Sequence, residues 1–134
     1  MELDFSDMCF GCGKKNDCGL QLNISYNNGK SWAKVVFKEH HQGWKGIVHG
    51  GVIAAALDEM MAYAVGSTGR ISTVTVKLNI TYRKPVKVGE EYELESEVVE
   101  SKGRKIYVRA LLKKENKVHA EAEGLYFELK EVKV

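Results

Sequence analysis

One segment of this 134-residue chain brings together the residue types that could do chemistry. Two glycines, Gly50 and Gly51, precede a stretch at residues 52–65 that is apolar on almost every face and therefore predicts a buried helix. Asp58 lies in the middle of that helix. Because acidic side chains are rarely buried without a partner, Asp58 or its neighbour Glu59 must reach a cavity, a partner or an interface.

The start of the predicted helix is suited to polarising a carbonyl group. The first N–H groups of a helix lack partners within it and carry a partial positive charge, and glycines let a ligand oxygen approach closely. Amides at Gly50 and Gly51 together with Asp58 suit a reaction in which a carbonyl oxygen gains negative charge. About 12 Å of helix separates Gly50 from Asp58, too far for one carbonyl to contact both. We therefore expect a dimer with antiparallel helices, in which Gly50 of one subunit faces Asp58 of the other.

Three motifs carry a family resemblance. The string His49-Gly50-Gly51 is followed by Asp58, residues 73–89 end in a Pro-Val-x-x-Gly turn, and residues 9–20 open with Cys-Phe-Gly-Cys-Gly. Together they resemble the hotdog-fold acyl-CoA thioesterases of the phenylacetate-pathway (PaaI-like) type. The resemblance covers residues 9–129, and the spacing from the glycines to the acid is its specific part.

The resemblance implies hydrolysis of an acyl-CoA thioester to a free acid and coenzyme A, with no cofactor beyond the coenzyme A of the substrate. It assigns Asp58 as nucleophile or general base and the Gly50 amide as the group that polarises the carbonyl. His49 takes a mostly positional role, with a general base as the alternative. Glu59 is the competing carboxylate, for which a pair with a lysine or arginine is the simpler interpretation.

The remaining site assignments concern the strand after the helix and the substrate. The resemblance places at Thr75 a small hydroxyl residue that helps to position the carboxylate or a water. Strict alternation puts Thr75 on the face opposite Val74 and Val76, so an exposed strand-forming residue is the alternative.

Some relatives carry an asparagine at the position of Gly43 that donates a second hydrogen bond to the thioester carbonyl. Here Gln42, Trp44 or a water would have to replace it. Gly51 is also expected to contact the substrate. Basic residues near strand ends could bind the phosphates of coenzyme A or could simply be solvated; these are Arg83, Lys84 and Arg104.

Two other functions stay open for the same fold. A hydratase or dehydratase needs an acid–base pair acting on the acyl β-carbon, and the sequence lacks the His-then-Pro-Gly pattern associated with those relatives. A non-catalytic acyl-CoA-binding or regulatory module would keep the fold without the activity. The retained Asp58 argues against that module.

Length and composition limit the class of protein. The length predicts one domain over residues 1–134, and 44% hydrophobic with 28% charged residues is typical of a globular protein. A formal net charge of +2 gives no reason to expect nucleic acid as a partner. With no basic-then-apolar leader and an apolar run at residues 47–57 too short to span a bilayer, we expect no membrane partner. The predicted protein is a cytoplasmic homo-oligomer, either a dimer or a dimer of dimers, that acts on acyl-CoA.

The three cysteines all lie near the start of the chain, at Cys9, Cys12 and Cys18. An odd number without a secretion signal indicates reduced thiols. With His40 and His41 the cysteines could hold zinc by ligand type, but the spacing lacks a second Cys-x-x-Cys pair. The sequence favours a tight Gly-Cys-Gly turn that caps the sheet, and we expect no metal.

Segments with a period of two predict strands at residues 20–26, 31–38, 71–82, 90–101, 104–114 and 117–129. The loop at residues 39–48 leads to the single helix, and Asn27-Asn28-Gly29 predicts a hairpin turn. This order predicts an α+β hotdog fold with an antiparallel sheet of about six strands wrapped around one central helix. Since one helix cannot cover six strands, a second subunit should complete the core.

Overall fold

A computed structural model describes residues 3–129, which form one long helix packed against a six-stranded antiparallel sheet. The helix, α1, spans Gly50–Gly66. The strands are β1 (Ser25–Asn27), β2 (Lys30–Val36), β3 (Thr73–Tyr82), β4 (Glu91–Lys102), β5 (Lys105–Lys114) and β6 (Lys117–Glu128). Their order in the sheet is β1-β2-β4-β5-β6-β3. The predicted α+β architecture is confirmed, while the ends of the domain expected over residues 1–134 lie outside the described residues.

The first predicted strand, at residues 20–26, is largely wrong. Only β1 pairs as a strand, although Leu20 and Leu22 are buried as the alternation required. Gln21 has a φ of 50°, which turns the chain, and the N–H groups of Leu20 and Leu22 donate to the carbonyl oxygens of Phe10 and Gly11. The alternation of apolar residues therefore reflects the burial of Leu20 and Leu22 beneath the N-terminal segment and not pairing of a strand in the sheet.

Two hairpins turn through residues with positive φ. Asn28 and Gly29 have φ values of 47° and 80°, and Glu115 and Asn116 have 52° and 64°. Two central residues with positive φ match the right-handed twist of paired strands, which is why such two-residue loops connect hairpins. The predicted turn between β1 and β2 is confirmed.

Helix α1 is the centre of the core and contacts all six strands. Its middle is fully buried at Leu57, Met60, Met61 and Ala64. The buried sheet residues that complete the same apolar cluster include Leu94, Val108, Leu112 and Tyr126. This burial explains why the helix is apolar on nearly every face. Within residues 3–129, no helix has both the length and the apolar character needed to cross a bilayer.

The close approach of α1 to β6 requires a glycine. A Cβ added at Gly124 would lie 2.8 Å from Cε2 of Tyr126 and 3.1 Å from Cε of Met61. Both contacts are shorter than, or at the limit of, what packed side chains tolerate. Gly124 therefore fixes the spacing between the helix and the strand that carries Tyr126.

We expect Gly124→Ala to destabilise the protein by about 1–3 kcal/mol, because the added methyl must displace Met61 or Tyr126. Chemical denaturation measures the effect. Glu123→Ala, on the exposed face of the same strand, is the control and should change stability by less than about 0.5 kcal/mol. Equal effects of the two substitutions would contradict the packing argument.

Candidate active site

The start of α1 is capped by the histidine that precedes it. Nδ1 of His49 accepts a hydrogen bond of 2.8 Å from the N–H of Gly51, and the His49 carbonyl accepts from Val52 and Ile53. Across residues 3–129, no group accepts a hydrogen bond from the N–H of Gly50. The structure thus places His49 as a helix cap and leaves the Gly50 amide available to a carbonyl oxygen.

A cavity of about 350 Å³ borders this amide and is lined by Gly43, Trp44, Val48, His49 and Gly50. Trp44 is 85% exposed. Gln42 turns back into its own loop, where its side chain donates to the Glu39 carbonyl at 2.7 Å and accepts from the N–H of Gly46. Of the two side chains expected to replace the missing asparagine, only Trp44 borders the cavity.

Asp58 is held by two hydroxyl groups on neighbouring strands. Its Oδ1 atom accepts hydrogen bonds from Oγ1 of Thr75 at 2.9 Å and from the Tyr126 hydroxyl at 2.5 Å. The Tyr126 hydroxyl also lies 3.1 Å from the Asp58 carbonyl oxygen. No donor within residues 3–129 bonds to Oδ2. The carboxylate is therefore fixed through one oxygen while the other can receive a proton or attack a carbon.

A β-bulge brings Thr75 to the helix side of β3. Thr75 pairs with Tyr126 and Lys77 pairs with Leu125, so Val76 is an extra residue in the strand. Such an extra residue shifts the alternation, which puts Thr75 on the same side as Leu78 and leaves Val76 58% exposed. The strict alternation predicted from the sequence is wrong at this point.

Tyr126 was not identified from the sequence. It is almost fully buried, and burial raises its pKa, with the charge of Asp58 as the next largest cause. A neutral hydroxyl that stays protonated is a permanent donor to the carboxylate. Its distance of 68 positions from Asp58 leaves no local signal, since only the pairing of β3 with β6 puts it beside Thr75.

One strand links the two parts of the candidate site. Near one end of β3, Thr75 contacts Asp58, and at the other end the Tyr82 hydroxyl donates to the Gly50 carbonyl at 2.5 Å. The two functional parts are thus separated along both the helix and the strand. Within one chain they do not form a single pocket. This separation agrees with the distance along the helix expected from the sequence.

Glu59, the competing carboxylate, lies in a different environment. It is 7% exposed, and its Oε2 accepts a hydrogen bond of 2.7 Å from Sγ of Cys9. Burial raises the pKa of Glu59, while hydrogen bonds from Cys9 and Cys12 oppose that shift. The lysine or arginine partner suggested by the sequence is replaced by thiols from the N-terminal segment.

The three cysteines do not converge on one point. Cys18 is exposed, and only its carbonyl meets His41, whose Nε2 lies 3.2 Å away. Cys9 and Cys12 instead approach Glu59. The Gly-Cys-Gly turn was expected to cap the sheet, yet it packs on α1.

The basic residues proposed for phosphate binding lie at opposite ends of β3. Arg83 and Lys84 follow the strand, and Arg83 forms an ion pair of 2.5 Å with Glu121. Arg104 is beside the other end, with its guanidinium 5.9 Å from the centre of the Phe127 ring. Since a ten-residue strand is about 30 Å long, these residues cannot bind one phosphate group within a single chain.

A larger groove of about 770 Å³ lies on the face of the sheet away from α1. Its lining includes Trp32, Glu97 and Arg109, and contains neither Gly50 nor Asp58. The groove is larger, but the candidate catalytic groups lie elsewhere. Gly50 borders the smaller cavity, and Asp58 lies near the Thr75 end of β3.

The family model described as the thioesterase superfamily matches residues 45–120, which include the helix start, Asp58 and Thr75. The chain belongs to this superfamily. Acyl-coenzyme A thioesterase THEM4 from Rattus norvegicus is 30% identical over 115 residues, which is 83% of this chain and 49% of that protein. The chain therefore spans about half the length of this curated relative.

Solved structures agree with the assignment to the superfamily. A thioesterase superfamily protein is 25% identical with a TM-score of 0.84, covering 90% of this chain and 60% of its own. A single-site mutant of the phenylacetic acid degradation protein PaaI from Thermus thermophilus is 24% identical with a TM-score of 0.76, covering 82% and 95% respectively. The predicted hotdog fold is confirmed, and the expected thioesterase relationship is confirmed at the level of the superfamily.

The loop before α1 in this thioesterase superfamily member depends on a buried histidine. His41 is 3% exposed, its Nδ1 accepts from the Lys38 N–H at 3.0 Å, and its carbonyl accepts from the His49 N–H at 2.9 Å. Burial lowers the pKa of His41 below its ordinary value of 6.5. Protonation is therefore easier in the unfolded chain than in the folded one.

We expect stability to fall as the pH drops from 7 through 6.5, because the unfolded chain then binds a proton that folded His41 resists. The loss should level off below the lowered pKa of the folded state. Urea denaturation between pH 7 and 5 should show this component in the wild type and not in His41→Gln. The exposed neighbour provides a control, since His40→Gln should keep it. An unchanged pH profile in His41→Gln would contradict the assignment.

Proposed function

We propose that the protein hydrolyses acyl-CoA thioesters at a site shared between two copies of the chain. The observation that carries the proposal is the Asp58 carboxylate, which is fixed through Oδ1 by Thr75 and Tyr126 and is open at Oδ2 within the described chain. Membership of the thioesterase superfamily supplies the reaction class. The THEM4 relative, named as an acyl-coenzyme A thioesterase, supports the choice of substrate.

The chemistry follows from the two ends of α1. The thioester carbonyl oxygen lies against the Gly50 N–H, whose helix-end position stabilises the negative charge that forms there. In the general-base route, Asp58 Oδ2 takes a proton from water, the water oxygen bonds to the carbonyl carbon, and the carbon–sulfur bond breaks. The electrons of that bond leave with the coenzyme A thiolate, which is then protonated from Asp58 or solvent.

In the nucleophilic route, Asp58 Oδ2 itself bonds to the carbonyl carbon, and the carbon–sulfur bond breaks as the coenzyme A thiolate leaves. The product is an anhydride that water then cleaves to the free acid and the Asp58 carboxylate. Single turnover in ¹⁸O-labelled water tests for the anhydride. Label in Asp58 would identify it, because water must then have attacked the Asp58 carbonyl, whereas label in the product acid alone fits attack of water on the thioester or on the acyl carbonyl of the anhydride.

A two-fold axis at β3 would complete the site. β3 is an edge strand, and it exposes apolar side chains at Val74 and Val76. Antiparallel pairing of β3 with its copy, centred near Leu78, sets Thr75 of one subunit opposite Tyr82 of the partner subunit. Because Thr75 contacts Asp58 and Tyr82 contacts Gly50, Asp58 of each subunit would face Gly50 of its partner.

The same arrangement addresses the separated basic residues. Antiparallel pairing brings the Arg104 end of one subunit towards the Arg83 and Lys84 end of the other. Lys84 is exposed, and the Arg104 side chain makes only a ring contact within residues 3–129, so both could bind phosphates of the coenzyme A tail.

We expect Asp58→Asn to lower kcat by at least about a hundredfold with the fold intact, because it removes the group that acts in the chemical step. Thr75→Ala and Tyr126→Phe should each lower kcat by about tenfold, since they loosen the carboxylate without removing it. A panel of acyl-CoA substrates assayed by thiol release measures these effects. Normal turnover in Asp58→Asn with lost turnover in Glu59→Gln would show that Glu59 is the catalytic carboxylate. Activity in both would overturn the mechanism.

Complementation tests the shared site. Asp58→Asn and Gly50→Val should each be inactive alone, and circular dichroism must first show that Gly50→Val folds, since its side chain crowds Tyr82. After subunit exchange, a heterodimer places both lesions in one site and leaves the other intact. Each heterodimer should therefore recover about half of the wild-type sites. No recovery in verified heterodimers, or full activity in a stable monomer, would refute the shared site while leaving hydrolysis itself untouched.

A further inference from the structure

A second cluster of reactive side chains lies where the N-terminal segment packs against Glu59 of α1, away from Asp58. Sγ of Cys9, Sγ of Cys12 and a carboxylate oxygen of Glu59 all lie within 4.8 Å of one another. Cys12 and Glu59 are buried, with exposures of 8% and 7%, and Cys9 is partly buried. The mechanism proposed above uses none of these groups.

The backbone of the N-terminal segment is shaped around this cluster. The Gly13 N–H donates to the Cys9 carbonyl at 2.8 Å, which closes a turn and directs both thiols to one side. A Cβ at Gly11 would lie 1.9 Å from Oε2 of Glu59, so any side chain at this position would displace the carboxylate from its place beside the turn. The N–H groups of Leu20 and Leu22 hold the outer side of the turn through Phe10 and Gly11.

We propose that Cys9, Cys12 and Glu59 bind one zinc-type divalent cation that fastens the N-terminal segment to helix α1. Two thiolates and a carboxylate are ligands that zinc accepts, and a Cys-x-x-Cys pair is the usual first half of such a site. Water or the Tyr63 hydroxyl, which hydrogen-bonds with Cys12, supplies the fourth position. This proposal revises the expectation from the sequence that the chain holds no metal, because Glu59 supplies the third ligand that the cysteine spacing lacked.

The geometry needs only a small adjustment. Around a tetrahedral zinc ion the sulfur and oxygen ligands are about 3.5 Å apart. The Cys9 thiol and Glu59 are now 2.7 Å apart, so their side chains would separate by less than about 1 Å as the ion enters and the two thiol protons leave to solvent. Cys18 is exposed and takes no part, which makes it a matched control.

The role is structural and independent of the thioesterase proposal. The segment from Leu3 to Ile24 contains no strand, and the ion would attach it to α1. Because Cys9 and Glu59 are 50 positions apart, this attachment would also close a long loop. A ligand that binds only the folded state stabilises it. The hydrolytic step does not pass through the ion.

The test uses the full chain purified in chelator and then given zinc or cobalt. We expect elemental analysis to find about one zinc per chain and cobalt to give the near-ultraviolet absorption of thiolate–cobalt bonds. Zinc should raise Tm by at least about 3 °C. Cys18→Ser should match the wild type, Cys9→Ser and Cys12→Ser should lose the stoichiometric metal and the shift, and Glu59→Gln should weaken zinc binding by at least about tenfold.

Absence of thiolate–cobalt absorption in the wild type, or equal metal loss in Cys18→Ser and Cys12→Ser, would overturn the site. Full zinc affinity in Glu59→Gln would also overturn the site. This variant keeps the proposal testable if a cysteine variant fails to fold. Retained thioester hydrolysis in metal-free protein would leave the metal site standing, because binding and Tm decide it.

Discussion

The burial of α1 against all six strands is the constraint on which the rest of the structure depends. A helix surrounded in this way must be apolar on nearly every face, and any buried polar side chain on it needs a hydrogen-bond partner. Ser31 and Ser96 show the requirement on the sheet side, since both hydroxyls donate to the Met60 carbonyl. Asp58 and Glu59 are the two acids that this helix has to accommodate.

The two acids meet the requirement in opposite directions. Asp58 points towards β3 and β6, where hydroxyl groups hold one oxygen and the carboxylate stays half-buried. Glu59 points towards the N-terminal segment, where burial raises its pKa and hydrogen bonds from the thiols oppose that shift. Adjacent positions on a helix face about 100° apart, so one step of sequence separates the proposed catalytic group from the proposed metal ligand.

Edge strand β3 connects packing with function. Its bulge at Val76 delivers Thr75 to Asp58, its far end holds Gly50 through Tyr82, and its outer edge is the surface proposed to pair with a second copy. An exposed edge with apolar side chains is a liability in a monomer, and pairing would remove it. The same contact would join the two halves of the site.

Much of this was readable from the sequence because it rests on local periodicity and turn chemistry. The helix at Gly50–Gly66, five of the six strands, the Asn28-Gly29 turn and the candidates Gly50 and Asp58 follow from such local signals. The tertiary structure alone decided that Thr75 faces the helix and that Tyr126 joins it. It also decided that Glu59 meets Cys9 in place of a basic residue. A bulge is set by how two strands pair, and contacts over 50 or 68 positions arise only when distant segments pack. No pattern within a single segment encodes them.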